Sequence, residues 1–174
     1  MPRKFAILDT NIIDYGLKPD YAESVASLIR ELSKEFDLTT TQYSRFELFR
    51  GMNSEKIPAA KVLFDSFACV DIDGDVFKTA AALSTCYKND LATKSRAGSF
   101  SDGDILIASA SFIANSVIVT ADVNDFPRPY FLEHASSNHR IVSSRKKTTI
   151  QVGILAPNIP HLNNVLPTLY PSPK

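Results

Sequence analysis

Cysteine and histidine are too scarce in this sequence to build a disulfide framework or a structural zinc site. The 174 residues include two cysteines, Cys69 and Cys86, and three histidines, and no CxxC pair occurs. Both kinds of cross-link need clustered cysteine or histidine side chains. The fold must therefore rest on a hydrophobic core, for which 44% hydrophobic residues suffice in one ordinary globular domain.

An excess of one charge and long apolar runs are also missing. Lysine and arginine together number 19, as do aspartate and glutamate, so the formal net charge is zero. A nucleic acid would therefore have to bind a local basic patch, because the overall field attracts neither sign. No apolar stretch is long enough for a signal peptide or a membrane span. We expect an unprocessed, soluble chain in the cytoplasm, without membrane contact.

Short apolar runs alternate with amphipathic segments through the first 127 residues. Helical spacing of apolar side chains predicts helices, and short bare apolar runs predict strands buried on both faces. This alternation predicts an α/β layered fold with a mostly parallel sheet. The predicted strands are 5–8, 37–40, 67–72, 117–120 and 150–155, and the predicted helices are 21–35, 41–49, a segment around 60–64, 76–91 and a segment beginning near 102.

The C-terminal part departs from this alternation. Residues 128–149 are polar and include a basic cluster, Arg145-Lys146-Lys147, which fits either an RNA contact or a mobile charged loop. Five prolines fall within the last 19 residues. We expect residues 1–155 to form one domain with a polar insertion at about 128–149, and residues 156–174 to form an extended, partly disordered tail.

Four acidic residues stand where an α/β fold binds ligands, beyond the carboxyl ends of its strands. Asp9 follows the first strand directly, and Asp122 follows the strand at 117–120 after one residue. Asp104 opens the helix that leads into that strand, and Glu47 lies in the helix after the second strand, at capping-box spacing from Ser44. Taken singly, each has an ordinary explanation as a turn former, a helix cap or a surface ion pair.

If the fold brings these carboxylates together, their ordinary explanations as caps, turn formers or ion pairs no longer suffice. Several carboxylates at one edge repel one another and raise each other's pKa unless a cation holds them. A site without histidine or cysteine favours Mg²⁺ or Mn²⁺, the ions that activate phosphate esters. Rival sites lack support, because the sequence contains no GxxxxGK[ST], no GxGxxG after a strand and no GxSxG.

Four short motifs, in this order, resemble the PIN domain superfamily and within it most closely the VapC-type ribonuclease toxins. The resemblance implies a three-layer α/β/α sandwich whose acidic edge binds Mg²⁺ or Mn²⁺. It also implies that Asp9, Glu47 and Asp104 are the principal metal ligands and catalytic residues, with Asp122 as the fourth acidic position. The motifs are Leu8-Asp9-Thr10-Asn11, Phe46-Glu47-Leu48-Phe49-Arg50-Gly51, Asp104-Ile105-Leu106-Ile107-Ala108 and Val119-Thr120-Ala121-Asp122-Val123-Asn124-Asp125-Phe126.

The same resemblance implies supporting residues and partners. Thr10 would hydrogen-bond the scissile phosphate or a metal-bound water, Asn11 would help to fix its loop, and Asp125 would support the last motif. The implied activity is metal-dependent hydrolysis of RNA, with an antitoxin protein as a partner and a homodimer as the assembly. The nearest cations for substrate phosphates are Arg50, Lys94, Arg96 and Arg128.

Three other functions stay open from the sequence. A PIN nuclease could work in RNA processing without an antitoxin, and a PIN-like scaffold could bind RNA or protein without cutting. The complete acidic set argues against the scaffold, since a binding module has no use for carboxylates that repel one another. A phosphatase with an aspartate nucleophile is weaker, because Asn11 stands where its second aspartate is needed.

Overall fold

The structure is a computed structural model that describes residues 3–135 and 138–166. The described residues form a seven-stranded sheet in the order β3-β2-β1-β4-β7-β5, and β6 pairs with β7. The strands are β1 Lys4–Leu8, β2 Phe36–Thr41, β3 Ala68–Val70, β4 Val117–Thr120, β5 Phe131–Glu133, β6 His139–Val142 and β7 Thr149–Pro157. The helices are α1 Thr10–Gly16, α2 Ala22–Leu32, α3 Gln42–Arg50, α4 Ile57–Asp65, α5 Gly74–Asn89, α6 Asp102–Ile113 and α7 Ile159–Val165.

The first four strands form the parallel half of the sheet. β1 lies at its centre and pairs in parallel with β2 and with β4, and β3 pairs in parallel with β2. The short apolar runs of β1 and β4 suit this central place, because a parallel strand covered by helices is buried on both faces. Ile7 and its partner Ile118 are both fully buried.

Alternate side chains of these strands enter two separate cores. Ile7 and Ile118 pack with the apolar residues of α5 and α6 on one face. Leu8, Val117 and Val119 pack with the buried residues of α1 and α2 on the other. Since successive side chains of a strand point to opposite faces, two cores mean two helical layers around one sheet. The predicted three-layer α/β/α sandwich is confirmed.

The other three strands form the antiparallel half. β7 is antiparallel to β4, and it pairs in turn with β5 and β6, both also antiparallel. The predicted strand at 150–155 is confirmed as part of β7. The polar stretch 128–149 is not a plain loop insertion, because it contributes β5 and β6 to the sheet. These strands have only three and four residues, and each buries a single one, Phe131 and Ile141, which gives only a weak strand signal in the sequence.

The expectation of an extended C-terminal segment was wrong for its first half. β7 continues to Pro157, and α7 follows over Ile159–Val165. Pro160 lies in the first turn of α7, where a proline costs no intrahelical hydrogen bond, and the Asn158 side chain caps that turn. Residues 167–174, the rest of the predicted tail, lie outside the described residues.

Two local predictions also need correction. The first turn of α3 is capped by Thr41, whose Oγ1 accepts a hydrogen bond from the Ser44 backbone N–H at 3.0 Å, so Ser44 and Glu47 form no capping box. Helix α1 had no predicted counterpart, because its seven residues are too few for a helical pattern to stand out. In the described part of the chain, no helix is long and apolar enough to cross a bilayer.

Candidate functional site

Asp9 lies at the carboxyl end of β1, where the chain turns into α1. Its side chain is only 4% exposed, and its Oδ2 accepts hydrogen bonds at 2.7 Å from Thr120 Oγ1 and at 2.7 Å from Asn11 Nδ2. Burial raises the pKa of Asp9 to about 7, although the Thr120 hydrogen bond acts in the opposite direction. The charges of Asp104 and Asp125 raise it further. Asp9 is therefore a buried carboxylate that is costly to ionise.

Asn11 and Thr120 join the ends of the two central strands. Besides its bond to Asp9, Asn11 Nδ2 donates to Thr120 Oγ1 at 3.1 Å, and Asn11 Oδ1 accepts from the Ala121 backbone N–H at 3.0 Å. Thr120 Oγ1 also accepts from the Asp122 backbone N–H at 3.0 Å. Sequence reasoning missed Thr120. Its signal was a hydroxyl at the last position of an otherwise apolar strand, directly before an acidic turn.

Asp104 lies in the first turn of α6 and is oriented by a capping box. Ser101 donates both its backbone N–H, at 2.9 Å, and its hydroxyl, at 2.7 Å, to Asp104 Oδ2, and Ser101 Oγ accepts from the Asp104 N–H at 3.1 Å. Burial raises the pKa of Asp104, and the charges of Glu47 and Asp122 raise it further. Asp104 is thus both a helix cap and a member of an acidic cluster.

Glu47 enters this cluster from α3, which packs close to the start of α6. A Cβ atom on Gly103 would stand 2.7 Å from Cε1 of Tyr43, so the glycine lets the Tyr43 ring approach the α6 backbone. The Glu47 charge raises the pKa of both Tyr43 and Asp104, although burial is the larger cause for each. The glycine therefore helps to bring the Glu47 helix near Asp104.

The turn after β4 contributes Asp122 and Asp125. Asp122 Oδ1 accepts from the Asn124 backbone N–H at 3.0 Å, as the capping interpretation of the sequence expected. Burial raises the pKa of Asp125 to about 6, and the charges of Asp104 and Asp122 add to the effect. A Cβ atom on Gly153 of β7 would stand 2.3 Å from Cγ1 of Val123, so this turn packs directly against β7. The sheet thus fixes where both carboxylates lie.

Five carboxylates therefore act on one another at this edge, which we call the acidic cluster. They are Asp9, Glu47, Asp104, Asp122 and Asp125. Among the described residues, no three carboxylate, imidazole or thiol groups lie close enough to hold a metal ion as they stand. The donors are nevertheless all carboxylates, which are ligands suited to Mg²⁺ or Mn²⁺. Their mutual repulsion is the electrostatic condition that a cation relieves.

Thr10 has a hydroxyl oxygen next to the acidic cluster that forms no hydrogen bond in the described structure. It follows Asp9 in the chain, and its Oγ1 is buried without a hydrogen-bond partner in the described structure. A buried hydroxyl without a partner costs free energy, and such groups are uncommon in folded proteins. Thr10 is therefore able to donate a hydrogen bond to a bound ligand.

The four predicted substrate-binding cations have different surroundings. Arg96 Nη2 donates to the Asn124 backbone oxygen at 2.7 Å, and the Arg96 charge lowers the raised pKa of Asp125. Arg128 pairs with Glu133 at 3.6 Å, and Arg50 lies over the Phe46 ring at 5.6 Å. No contact in the described structure ties the exposed Lys94 side chain to the acidic cluster. Arg96 is thus the cation held directly beside the carboxylates.

Similar proteins are known by sequence model and by structure. The sequence model of the PIN domain family matches residues 6–132 of this chain. No curated protein sequence matches it significantly. Three similar solved structures are VapBC2 from Rickettsia felis bound to a DNA fragment from its promoter, FitAcB from Neisseria gonorrhoeae and a toxin-antitoxin complex from Klebsiella pneumoniae.

These structures share the fold at low sequence identity. The Rickettsia chain is 19% identical with a TM-score of 0.54, and the match covers 69% of this chain and 89% of that one. The Neisseria chain is 22% identical with a TM-score of 0.52, covering 70% and 90%. The Klebsiella chain is 18% identical with a TM-score of 0.52, covering 71% and 92%.

The matched region spans most of the chain and contains the whole acidic cluster. It begins within β1 and ends within β5, so it includes all of the parallel half of the sheet. The predicted family resemblance is confirmed by this match, and the chain belongs to the PIN domain family, whose members are generally nucleases.

Proposed function

We propose that the protein is a divalent-cation-dependent ribonuclease and the toxin of a toxin-antitoxin pair, acting in the cytoplasm. The observation that carries this proposal is the acidic cluster around the buried Asp9, in a chain of the PIN domain family. Burial, and then repulsion among these carboxylates, raises the pKa of Asp9, Asp104 and Asp125 and so opposes folding at neutral pH. A cation that binds there neutralises the carboxylates, so the free energy that opposes folding in its absence favours metal binding.

The donor set supports Mg²⁺ or Mn²⁺ as the cofactor. Asp9, Glu47 and Asp104 would hold the ion, Asp122 would complete the set, and Asp125 would add negative charge from the edge. When bound, such an ion neutralises charge on the phosphoryl group and lowers the pKa of water. Because no three of these carboxylates are close enough to ligate one ion as they stand, binding requires their side chains to move together.

The remaining residues of the site orient the substrate and the carboxylates. Thr120 and Asn11 donate to the same oxygen of Asp9 and so fix the plane of that carboxylate. Thr10 Oγ1, which has no partner within the described residues, donates to a phosphate oxygen of the scissile bond. Arg96 offsets the negative field beside Asp125, where an RNA backbone must approach. Arg50, Lys94 and Arg128 supply further charge for the flanking phosphates.

The toxin assignment is supported by likeness to other proteins and concerns the partners. The similar structure from Klebsiella pneumoniae is a toxin-antitoxin complex, which supports a cognate antitoxin as the partner of this chain. We also expect the chain to form a homodimer. Co-expression with the protein encoded by the adjacent gene, followed by purification of a stable complex, tests the partner. A nuclease that purifies alone and has no such neighbour would instead belong to RNA processing.

The catalytic proposal is tested by incubating the purified protein with a pool of structured RNAs. We expect cleavage with Mg²⁺ or Mn²⁺, none in EDTA, and a loss of at least about a hundredfold in rate for Asp104→Asn. Asp102→Asn is the matched control, because it makes the same change two residues earlier on the exposed side of the same helix turn. This control should retain most of the activity.

Two results would contradict the proposal. If the wild-type protein leaves every RNA intact and calorimetry detects no metal binding, the acidic cluster is not a metal site, and a non-cleaving scaffold becomes the better description. If Asp104→Asn and Asp102→Asn lose activity equally, the effect comes from the loss of negative charge in the first turn of α6 and not from the acidic cluster.

A further inference from the structure

A second concave site lies beside the acidic cluster, on the side of the antiparallel half. It has a volume of about 320 Å³, within the usual size range of small-ligand pockets. It lies between the turn that carries Arg96, the turn after β4, and strands β5 and β7. Its apolar wall consists of the buried residues Phe126, Pro127, Phe131 and Leu155. We call it the arginine pocket, because Arg96 and Arg128 also line it.

We propose that the arginine pocket binds one unpaired RNA nucleotide next to the cleaved phosphodiester, its base against the apolar wall and its phosphate near the arginines. This inference rests on the proposed ribonuclease function and extends it to the recognition of the substrate. Single-stranded RNA is commonly recognised in this way, with an unstacked base against apolar or aromatic side chains and the backbone held by cations.

Arg96 connects the arginine pocket to the acidic cluster. Its guanidinium donates to the Asn124 backbone oxygen at 2.7 Å and lies over the Phe100 ring at 5.4 Å, so it is held on two sides. The same charge lowers the pKa of Asp125, a member of the acidic cluster. A phosphate that joins a nucleotide in the pocket to one at the acidic cluster would therefore pass Arg96.

The charges at the rim favour an anionic group such as a phosphate over a neutral or a cationic ligand. Arg96 and Arg128 bring two positive charges, and Glu133, also in the lining, brings one negative charge. The ion pair of Arg128 with Glu133 is exposed and spans 3.6 Å, so a phosphate can displace it at little cost. The arginine pocket therefore keeps a net positive charge beside the strongly acidic cluster.

The apolar wall rests on buried rings that stay ordered, and the apolar surface open to a base lies at the rim. Phe126 and Phe131 are 2% and 1% exposed, and their rings meet edge to face at 5.8 Å. Val123, which is 42% exposed, adds apolar surface at the rim where a base would enter. A wall that is already ordered loses little conformational entropy when a ligand binds.

The test measures kcat/KM for a single-stranded RNA that the wild-type protein cuts, with one abasic site moved through the positions flanking the cut. We expect one adjacent position at which base removal costs about tenfold. Ala92→Phe fills the pocket from its exposed edge. This variant should cut the intact RNA about tenfold more slowly and lose nothing further when that base is removed. Ala59→Phe, on the exposed side of α4, is the control for added bulk.

Charge variants test the phosphate contact separately. Arg128→Gln should weaken binding of every RNA in the series alike and reduce the salt dependence by about one counterion. Glu133→Gln should act in the opposite direction, because it removes the negative charge from the rim. Arg140→Gln, an exposed arginine on β6 outside the pocket, should change neither quantity.

The outcomes separate this inference from the proposed function. One outcome is that RNA is cut, while removal of each base slows the Ala92→Phe variant as much as it slows the wild-type protein. In that case the pocket does not bind a base, and the inference is wrong although the protein is a nuclease. The same holds if Ala92→Phe only weakens the antitoxin complex. If no RNA is cut, anisotropy decides with a labelled single-stranded RNA in which one abasic site is moved along the chain. Binding that depends on one base and is lost in Ala92→Phe then supports the pocket alone.

Discussion

The two halves of the sheet differ in strand direction and in the charges that they carry. The parallel half ends its central strands β1 and β4 at one edge, and Asp9 and Asp122 follow those ends. The antiparallel half brings β5 and β7 to the far side of β4 and lines a pocket that holds Arg96 and Arg128. The acidic cluster thus belongs to the parallel half, and the two arginines of the pocket lie where it meets the antiparallel half.

This difference follows from how strand ends are distributed. Parallel strands place all their carboxyl ends on one edge, so polar residues that follow them converge without any long-range signal in the sequence. Antiparallel strands alternate their carboxyl ends between the two edges of the sheet. A cluster of side chains beside them therefore depends on the lengths of the loops and on which strands pair. In this chain the acidic cluster is a product of topology, whereas the arginine pocket is a product of particular loops.

The largest expected effect concerns the cores of the two halves. Ile118→Ala should lower the free energy of unfolding by about 4 kcal/mol, because β4 lies between β1 and β7 and cannot shift to fill the cavity. Ile141→Ala, on β6, should cost about 2 kcal/mol, since in the described sheet β6 pairs only with β7 and relaxes more easily. Both side chains are fully buried. Equal losses in urea unfolding would show that the two halves are equally rigid.

The next effect concerns the charge of Asp9 and its dependence on pH. The pKa of Asp9 is about 7 in the fold and about 4 in an unfolded chain, so the native state binds more protons between these values. Stability without metal should therefore fall as pH rises from 4 to 7, and the raised pKa values of Asp104 and Asp125 act in the same direction.

Asp9→Asn should stabilise the metal-free protein at pH 8, by on the order of 3 kcal/mol, and have little effect at pH 4. Thermal unfolding in EDTA across this pH range measures it. Asp37→Asn, an exposed carboxylate on β2, should leave the pH dependence unchanged. A wild-type protein whose stability rises between pH 4 and pH 7 would contradict the raised pKa of the buried Asp9.

The smallest effect compares one polar link in each half. Asn11→Ala removes the bonds that tie β1 to the end of β4 and should cost about 1–3 kcal/mol, because it leaves partly buried partners unpaired. Ser24→Ala removes the hydroxyl that accepts the Val142 N–H at 2.9 Å, an exposed link from α2 to β6, and should cost below about 1 kcal/mol. A larger loss for Ser24→Ala in denaturant titrations would reverse the comparison.

Sequence patterns predicted the parallel half well because its signals are local. The bare apolar runs of β1 and β4 and the helical spacing in α2 and α5 are typical of segments whose faces are covered. The antiparallel half was predicted less well, because β5 and β6 have only three and four residues and their pairing with β7 is not local.

The candidate site also contains residues that the sequence could predict and contacts that it could not. The acidic residues could be proposed because motif order and strand ends are visible in the chain. The link from Thr120 to Asp9 spans 111 positions, and the contact of Arg96 with Asn124 spans 28. Neither pairing leaves a pattern in a single sequence, because hydrogen bonds between distant segments form only after the sheet brings their ends together.

The sequence by itself determined which segments are apolar enough to become central strands, and therefore which acidic residues follow strand ends. Only the tertiary structure decided the burial that raises the pKa of Asp9, the approach of Glu47 to Asp104 across Gly103, and the hollow between β5 and the turn after β4. The reason is physical: desolvation, electrostatic repulsion and cavity shape depend on distances between residues far apart in the chain, and these distances exist only in the folded protein.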